Sequence, residues 1–293
     1  MAEKTPTPAN DHSDAIATPI KEKGAKRRKL RRWINRLSWV FLILAPLVFL
    51  IAAVGYKLGL FGLGVSFGIL NLKVGPLLLL LSALFGLLSL IFALVVKPRK
   101  GLVVGVLALL VPVFGLAKLK SVEKTVYVKL PFIHDVTTDT QNPPVFGEVI
   151  MAERFKVKNV NTVDYIGKKA PVYNANKEKT GDALVSALQT KAYPEIRTLI
   201  LDDDIAAVFE DAKMTAVSMG WDIKEENAQD GWINATETTF WYGFKDDISI
   251  RLGEANGGGT VVDVRSVSRV GGSDMGANAK RIAEYLERLG DSR

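Results

Sequence analysis

Apolar residues are arranged in two different ways along this chain. Between residues 37 and 117 they form long, nearly unbroken runs; beyond residue 119 they alternate with polar residues at short periods. Three runs have the length of membrane helices: LSWVFLILAPLVFLIAAVG (37–55), VGPLLLLLSALFGLLSLIFALVV (74–96) and GLVVGVLALLVPVFGLA (101–117). A helix needs roughly 17–25 apolar residues to cross a hydrocarbon layer of about 30 Å, so the third run sits at the lower limit. Pro76 opens the second run, where a first helical turn tolerates proline. Between the first two runs, FGLGVSFGILNLKVG (61–75) is apolar and glycine-rich but too short to cross comfortably. It reads as an interfacial or re-entrant piece.

The remainder has the patterning of a water-soluble α+β domain. VYVKLPFIHDVTTDTQNPPVF (126–146) reads as extended, because Pro143 and Pro144 exclude a helix and Val and Thr favour an open backbone. A helix is expected over 180–191, with Leu184 and Leu188 on one face, and a strand follows Pro194. Asp202, Asp203 and Asp204 supply an N-cap to a helix carrying Ile205, Val208, Phe209, Ala212 and Met219 on one face, stopped at Gly220. A short strand at 221–225 and three longer ones at 232–239, 247–253 and 260–270 come next, the last two joined through NGGG (256–259). A helix over 276–289 shows Ile282, Tyr285, Leu286 and Leu289 at i, i+3, i+4 and i+7, and Gly290 ends it. The order β-α-β-β-β-β-α predicts one antiparallel sheet with helices on one face. A curved version would be helix-grip-like, with a groove between sheet and helix.

Charge divides the chain at the same place. Residues 1–118 hold 16 Lys and Arg against 4 Asp and Glu, and residues 119–293 hold 22 against 27. The basic excess sits in the N-terminal tail and the membrane-flanking loops, so it argues for lipid headgroups and against nucleic acid. Residues 1–36 read as a disordered basic tail, with nine basic residues in KEKGAKRRKLRRWINR (21–36). By the positive-inside rule that cluster stays in the cytoplasm, the KPRK hairpin (97–100) returns there, and residues 119–293 lie outside. In a bacterial inner membrane, outside is the periplasm. A crossing at 61–75 would reverse that parity. A cleaved signal peptide fits poorly, because further spans follow and the first run lacks a small-x-small site. Pairs of glycines at helix-packing spacing, Gly55/Gly59, Gly64/Gly68 and Gly101/Gly105, suggest a route to homo-oligomers.

The candidate chemistry is sparse. With no cysteine in the chain, disulfides, thiolate nucleophiles and Cys-based zinc sites are excluded. The dinucleotide spacing G-x-G-x-x-G is absent and no cofactor is expected. His134 lies in PFIHDVTTD beside Asp135 and Asp139, a weak metal-ligand or general-base set. KEEN (224–227) reads as a solvated face. FWYGF (240–244) places four aromatics at a strand end, including Trp241 and Tyr242, enough to line a ligand groove or touch the bilayer.

The densest polar signal is RSVSRVGGSDMGANAKR (265–281). Alternation in the strand puts Val262, Val264, Ser266 and Ser268 on one face, and Asp263, Arg265, Val267 and Arg269 on the other. Pairing Leu252 with Thr260 across the NGGG turn sets Asp247 opposite Arg265 and Arg251 diagonal to Asp263, as structural ion pairs. Arg269 is then left over, beside a glycine-rich helix N-terminus. Backbone N–H groups and a guanidinium suit an anion, so Arg269, Ser268, Ser273, Asp274 and Asn278 form a candidate ligand site. The rival is Asp274 itself, which would cap the helix and neutralise Arg269 from within.

HDVTTDTQNPPVF, QTKAYPEI, GWDI, ATETTFWYGFKDDISIRL and VDVRSVSRVGGSDMGANAKRI occur in this order over about residues 131–289. In these segments the chain resembles the family called domain of unknown function fourteen-ninety-nine, found in bacterial and plant proteins. The resemblance implies a shared need at Asp246, Asp247, Arg251, Arg265, Ser268, Arg269, Asp274 and Asn278, and brings no activity or catalytic residues. The leading expectation is a non-enzymatic inner-membrane protein whose periplasmic domain binds a small anionic or lipidic ligand or an envelope protein. A membrane-tethered enzyme using His134, Asp135, Asp139 and Arg269, and a structural or assembly factor, are the alternatives.

Overall fold

The computed structural model describes the backbone of residues 11–292, with side chains from residue 24 onward. The chain folds as two compact units, Met1–Leu119 and Lys120–Arg293.

The first unit is helical. Helix α1 spans Asp11–Lys57, so the backbone is helical through most of the segment expected to be a disordered tail. Lys, Arg and Ala, which together make up nearly half of residues 11–36, are all good helix formers. Residues 1–10 lie outside the described residues. Helix α2 runs unbroken over Gly64–Val95, its first part, Gly64–Val74, wound in wider π turns. The stretch expected to be a re-entrant piece is therefore the first third of a longer helix. Helix α3 covers Leu102–Lys129, again ending in a π-helical stretch, Thr125–Lys129; its residues from Lys120 onward belong to the second unit. Among the described residues these three helices are long and apolar enough to cross a membrane.

Polar side chains pin them inside the apolar layer. Ser38 donates to the carbonyls of Ile34 and Phe85, and Ser89 donates to Asn35 and to the carbonyl of Gly101. Buried Arg31 donates to the carbonyls of Val96 and Pro98. A Cβ on Gly55 would strike the Phe61 ring, one on Gly101 the Asn35 side chain and one on Gly105 the Leu90 side chain. Three of the glycines expected to face another copy are therefore filled by this chain itself. Gly59, Gly64 and Gly68 have nothing near.

The second unit is α+β. After β1 (Asp135–Thr137) come α4 (Glu148–Phe155), β2 (Lys169–Tyr173), β3 (Lys179–Leu184), α5 (Val185–Ala192), β4 (Leu199–Leu201), α6 (Ile205–Ser218), β5 (Asp222–Asn227), β6 (Trp232–Thr238), β7 (Lys245–Glu254), β8 (Thr260–Ser268) and α7 (Ala277–Asp291). The main sheet has six strands in the order β1-β8-β7-β6-β5, with β4 also on β8; β2 and β3 form a separate hairpin. Every strand pair is antiparallel.

Several boundaries differ from the sequence reading. Residues 126–129 belong to α3, not to an extended segment. The helix expected over 180–191 begins only at Val185, because Lys179–Leu184 pairs with β2. That hairpin is closed by long-range pairing, which outweighs local helix preference. Gly290 lies within α7 rather than ending it.

One face of the sheet is apolar. Ile233, Ile248, Ile250, Val262 and Val264 are fully buried beneath α6 and α7, which contribute Val208, Ala212, Ile282, Tyr285 and Leu289. Each such aliphatic side chain contributes roughly 1.5–3 kcal/mol on burial. Tyr285 stacks on Trp221 and donates to the carbonyl of Ala212. The space expected to be a ligand groove between sheet and C-terminal helix is thus filled by core. The caps fall as anticipated around α6: the Asp204 carboxylate accepts from the Ala207 N–H, and Gly220 sits at φ +80°.

Candidate functional site

The opposite face of the sheet is polar and buried. Strand alternation aims Asp247, Ser249, Asp263, Arg265 and Asn234 at it, and all are at least nine-tenths buried. What buries them is the segment between β1 and β2, including α4, which lies across this face. Ser249 donates to the carbonyl of Val145, and Asn234 accepts from the Gly147 N–H at 2.7 Å. Glu225 accepts from the N–H groups of Val149 and Ile150 and so caps α4 from another element. KEEN is therefore not simply a solvated face. Gly147 is needed there, because a Cβ would collide with the Glu225 carboxylate.

The β7–β8 register is shifted by two residues from the sequence reading. Leu252 faces Val262, Ile250 faces Val264, Asp247 faces Val267, and Arg251 faces Asp263 directly. A shift of two preserves which residues share a face but changes every partner. Asp247 and Arg265 are not an ion pair. Arg265 makes a bidentate bond to Asp135, at 3.0 and 2.8 Å, donates to the carbonyls of Pro144 and Val163, and lies between the rings of Phe146 and Tyr165. Arg251 pairs with Asp263 at 2.7 Å and with Asp139 at 3.1 Å. Asp263 also accepts from Thr138 and Thr198.

Arg269 is not left over. It is 4% exposed and donates to Asp247, to Glu153 at 2.8 Å and to Thr236. Arg154 of α4 reaches the same Asp247 carboxylate at 2.6 Å, so one fully buried carboxylate holds two arginines. The Arg269 hydrogen bond holds the Glu153 carboxyl below its usual range. Asn161 completes the staple, donating to the carbonyls of Ser268 and Gly271. Sequence reasoning missed Glu153, Arg154 and Asn161. Only the i, i+4 spacing of Ile150 and Arg154 hints that Arg154 lies on a buried helix face.

The corner at the start of α7 is also closed from within. Asn278 accepts from Ser266 and donates to Ser268 and to the carbonyl of His134. Arg281 joins Asn278, Asp246 and Glu237. Asp274 accepts from the N–H groups of Gly276 and Asn278 and so occupies the helix N-terminus. Burial pushes its carboxyl up to about 6. Ser273 contributes only a local bond to the Met275 N–H. Trp241 lies apart, on an exposed turn, and Tyr242 stacks on Phe244 there.

His134, Asp135 and Asp139 do not converge. Asp135 belongs to Arg265, and Asp139 accepts from the N–H groups of Gln141 and Asn142. Among the described residues no trio of His, Asp and Glu is placed to hold a metal ion. His134 instead borders a cavity of about 140 Å³ with Phe132, Lys168, Pro171, Val185 and Gly272. Its Nδ1 lies 3.4 Å from the Gly272 carbonyl oxygen, and its Nε2 lies 3.2 Å from Lys168 Nζ. Burial, then the Lys168 charge, lowers the imidazole pKa, so the ring is neutral at pH 7 and accepts from the ammonium. Lys168 also donates to the carbonyl of Thr162, and burial lowers its pKa. Among the described residues it has no carboxylate within ion-pair distance. Lys168 was not among the residues singled out from the sequence. A loop lysine carries no signal until the fold sets it beside His134.

Three apolar helices ahead of an antiparallel α+β domain define a membrane protein with a soluble domain. Residues 135–289 match the family model described as "Protein of unknown function (DUF1499)", and the chain belongs to that family. A search among curated proteins finds no match.

Proposed function

We propose that this is a bacterial inner-membrane protein whose periplasmic domain binds a small anionic group, and that Lys168 and His134 receive it. The observation carrying the reading is a partly buried ammonium at a cavity mouth whose near partners are a neutral imidazole and a carbonyl. An ammonium in that setting gains more from a carboxylate or phosphate than the same group in water. At about 140 Å³ the cavity suits one charged group and a short apolar neighbour, not a whole cofactor. Phe132, Pro171 and Val185 supply the apolar wall. The candidate site thereby moves from Arg269 and Asp274, whose partners are internal, to the neighbouring loop.

The test uses the full-length chain in nanodiscs and native mass spectrometry. One arm uses phosphatidylcholine alone, a second adds inorganic phosphate, and a third includes phosphatidylglycerol. A bound mass in the second or third arm that disappears with Lys168→Met supports the site, and the arm names the source. A wild-type protein that stays empty in every arm, or a variant that binds as well, overturns it. A reporter fused after Arg293 tests the topology: alkaline phosphatase activity supports the periplasmic placement, and fluorescence from a cytoplasm-only reporter refutes it.

A further inference from the structure

The turn between β6 and β7 does nothing in the binding site just described. Its residues are nevertheless the most aromatic stretch of the domain. Phe240 is 76% exposed and Trp241 63%, with the two rings edge to face at 5.2 Å. The turn carrying them is firmly built. The Thr239 N–H donates to the Phe244 carbonyl, the Gly243 N–H donates to the Thr239 carbonyl, and the Thr239 hydroxyl accepts from the Phe244 N–H, all at 2.9 Å. Gly243 takes φ +67° to close it. Two large rings are thus held outward on a fixed support, at little further entropic cost to anything that receives them.

Connectivity says what lies near. Strand pairing puts Asp135, Ser268, Lys245 and Thr238 at one end of the sheet. The chain enters that same end from α3. Residues 130–134 then reach at most about 17 Å before β1 begins. Across the sheet, the β6–β7 turn is two to three strand spacings from β1, about 10–14 Å. The opposite end of β7, ten residues away, lies about 33 Å off. The aromatic turn is therefore at the end of the sheet where the chain enters the domain.

We propose that the β6–β7 turn docks into the lipid interface of the bilayer that the apolar helices cross, with Phe240 and Trp241 inserted at headgroup level. Tryptophan is the side chain best suited to that zone, with an apolar ring and one N–H for the wet side. Exposed Lys245 at the base of the turn is placed to extend its ammonium toward lipid phosphates. The docked turn would hold the sheet end, and with it the loop after β1, close to the bilayer surface.

The cysteine-free sequence makes the test direct. Full-length Trp241→Cys is labelled with an environment-sensitive fluorophore in phosphatidylcholine–phosphatidylglycerol vesicles containing spin-labelled lipids. Asn256→Cys, in the turn at the far end of β7, is the control. The expected result is a blue-shifted emission at position 241 that spin-labelled lipid quenches several-fold more than at 256. Equal quenching at both positions overturns the proposal. A blue shift at 241 without lipid quenching also overturns it, since the ring then lies against protein. Because an apolar label favours lipid by itself, Phe240→Ser in the 241-labelled protein supplies a second reading. Its loss of quenching supports a docked turn, and unchanged quenching assigns the signal to the label and overturns the proposal.

Discussion

Replacing Asp247 by alanine should remove the anchor of the polar sheet face. Its carboxylate is fully buried and accepts from Arg154 at 2.6 Å, from Arg269 at 2.6 and 2.9 Å, and from Thr236 at 2.8 Å. Without it, two buried guanidinium groups face each other with only the partly exposed Glu153 in reach. Removing one partner of a buried ion pair costs about 3–5 kcal/mol, chiefly because the other charge stays uncompensated. A domain stable by about 5–15 kcal/mol would lose a large share of that. The measurement is hydrogen exchange of the full chain in micelles, followed by mass spectrometry. Protection of β6, β7 and β8 should fall by roughly a hundredfold to a few thousandfold, at about 1.4 kcal/mol per tenfold. Arg154→Met should be more local, exposing residues 148–155 first, because it unties the cover while Asp247 keeps Arg269. Asp247→Leu together with Arg154→Met and Arg269→Met should recover much of the loss, since an apolar replacement of a whole ionic cluster is often tolerated. A fall of less than tenfold for Asp247→Ala would refute the idea that this carboxylate holds the cover on the sheet.

Asp274, pushed up to about 6 by burial, binds a proton more tightly folded than unfolded; its stabilising contribution is complete below about pH 4 and lost as pH rises through 6. Asp274→Asn should therefore equal wild type near pH 4 and exceed it at pH 7.5, by at most about 3 kcal/mol, in paired urea titrations. Gly259 and Gly257 both sit at positive φ, but a Cβ on Gly259 would strike the Leu201 carbonyl oxygen and one on Gly257 meets nothing. Alanine at 257 should cost about 1–2 kcal/mol and at 259 clearly more, read as a difference in melting temperature. Gln189 bonds both the N–H and the carbonyl of Thr137, closing the edge of β1, and accepts from Tyr165. Gln189→Ala should cost about 2–4 kcal/mol and show first as fast exchange at Thr137. Anion retention at Lys168 should fall at a pH below the ordinary lysine value of about 10.5, because burial favours its neutral form.

Local patterning was a good guide where a single element suffices. The uncharged runs, the Asp204 cap, the Gly220 stop and the i, i+3, i+4, i+7 stripe of α7 all reflect interactions within a few residues. The division of β7 and β8 into an apolar and a charged face was equally legible, because it depends only on a period of two. The partners on the charged face were not. A register two residues from the observed one leaves Arg269 without a partner, whereas the observed register brings it beside Asp247. Its second carboxylate, Glu153, and its neighbour Arg154 stand more than a hundred residues away in a segment with no repeating pattern. Likewise Lys168 and His134 meet only because the β2 loop folds back over the start of β1.

The sequence by itself determined that this chain enters a membrane through apolar helices and carries an antiparallel α+β domain. It also determined which residues share each sheet face. Hydrophobic length and strand period are properties of neighbours in the chain. Tertiary structure alone decided that the arginines of the polar face are spent on internal carboxylates, and that a partly buried ammonium stands at an adjoining cavity. Ion pairing is decided by distances of a few ångströms between segments far apart in sequence, and burial by whatever the chain lays over them.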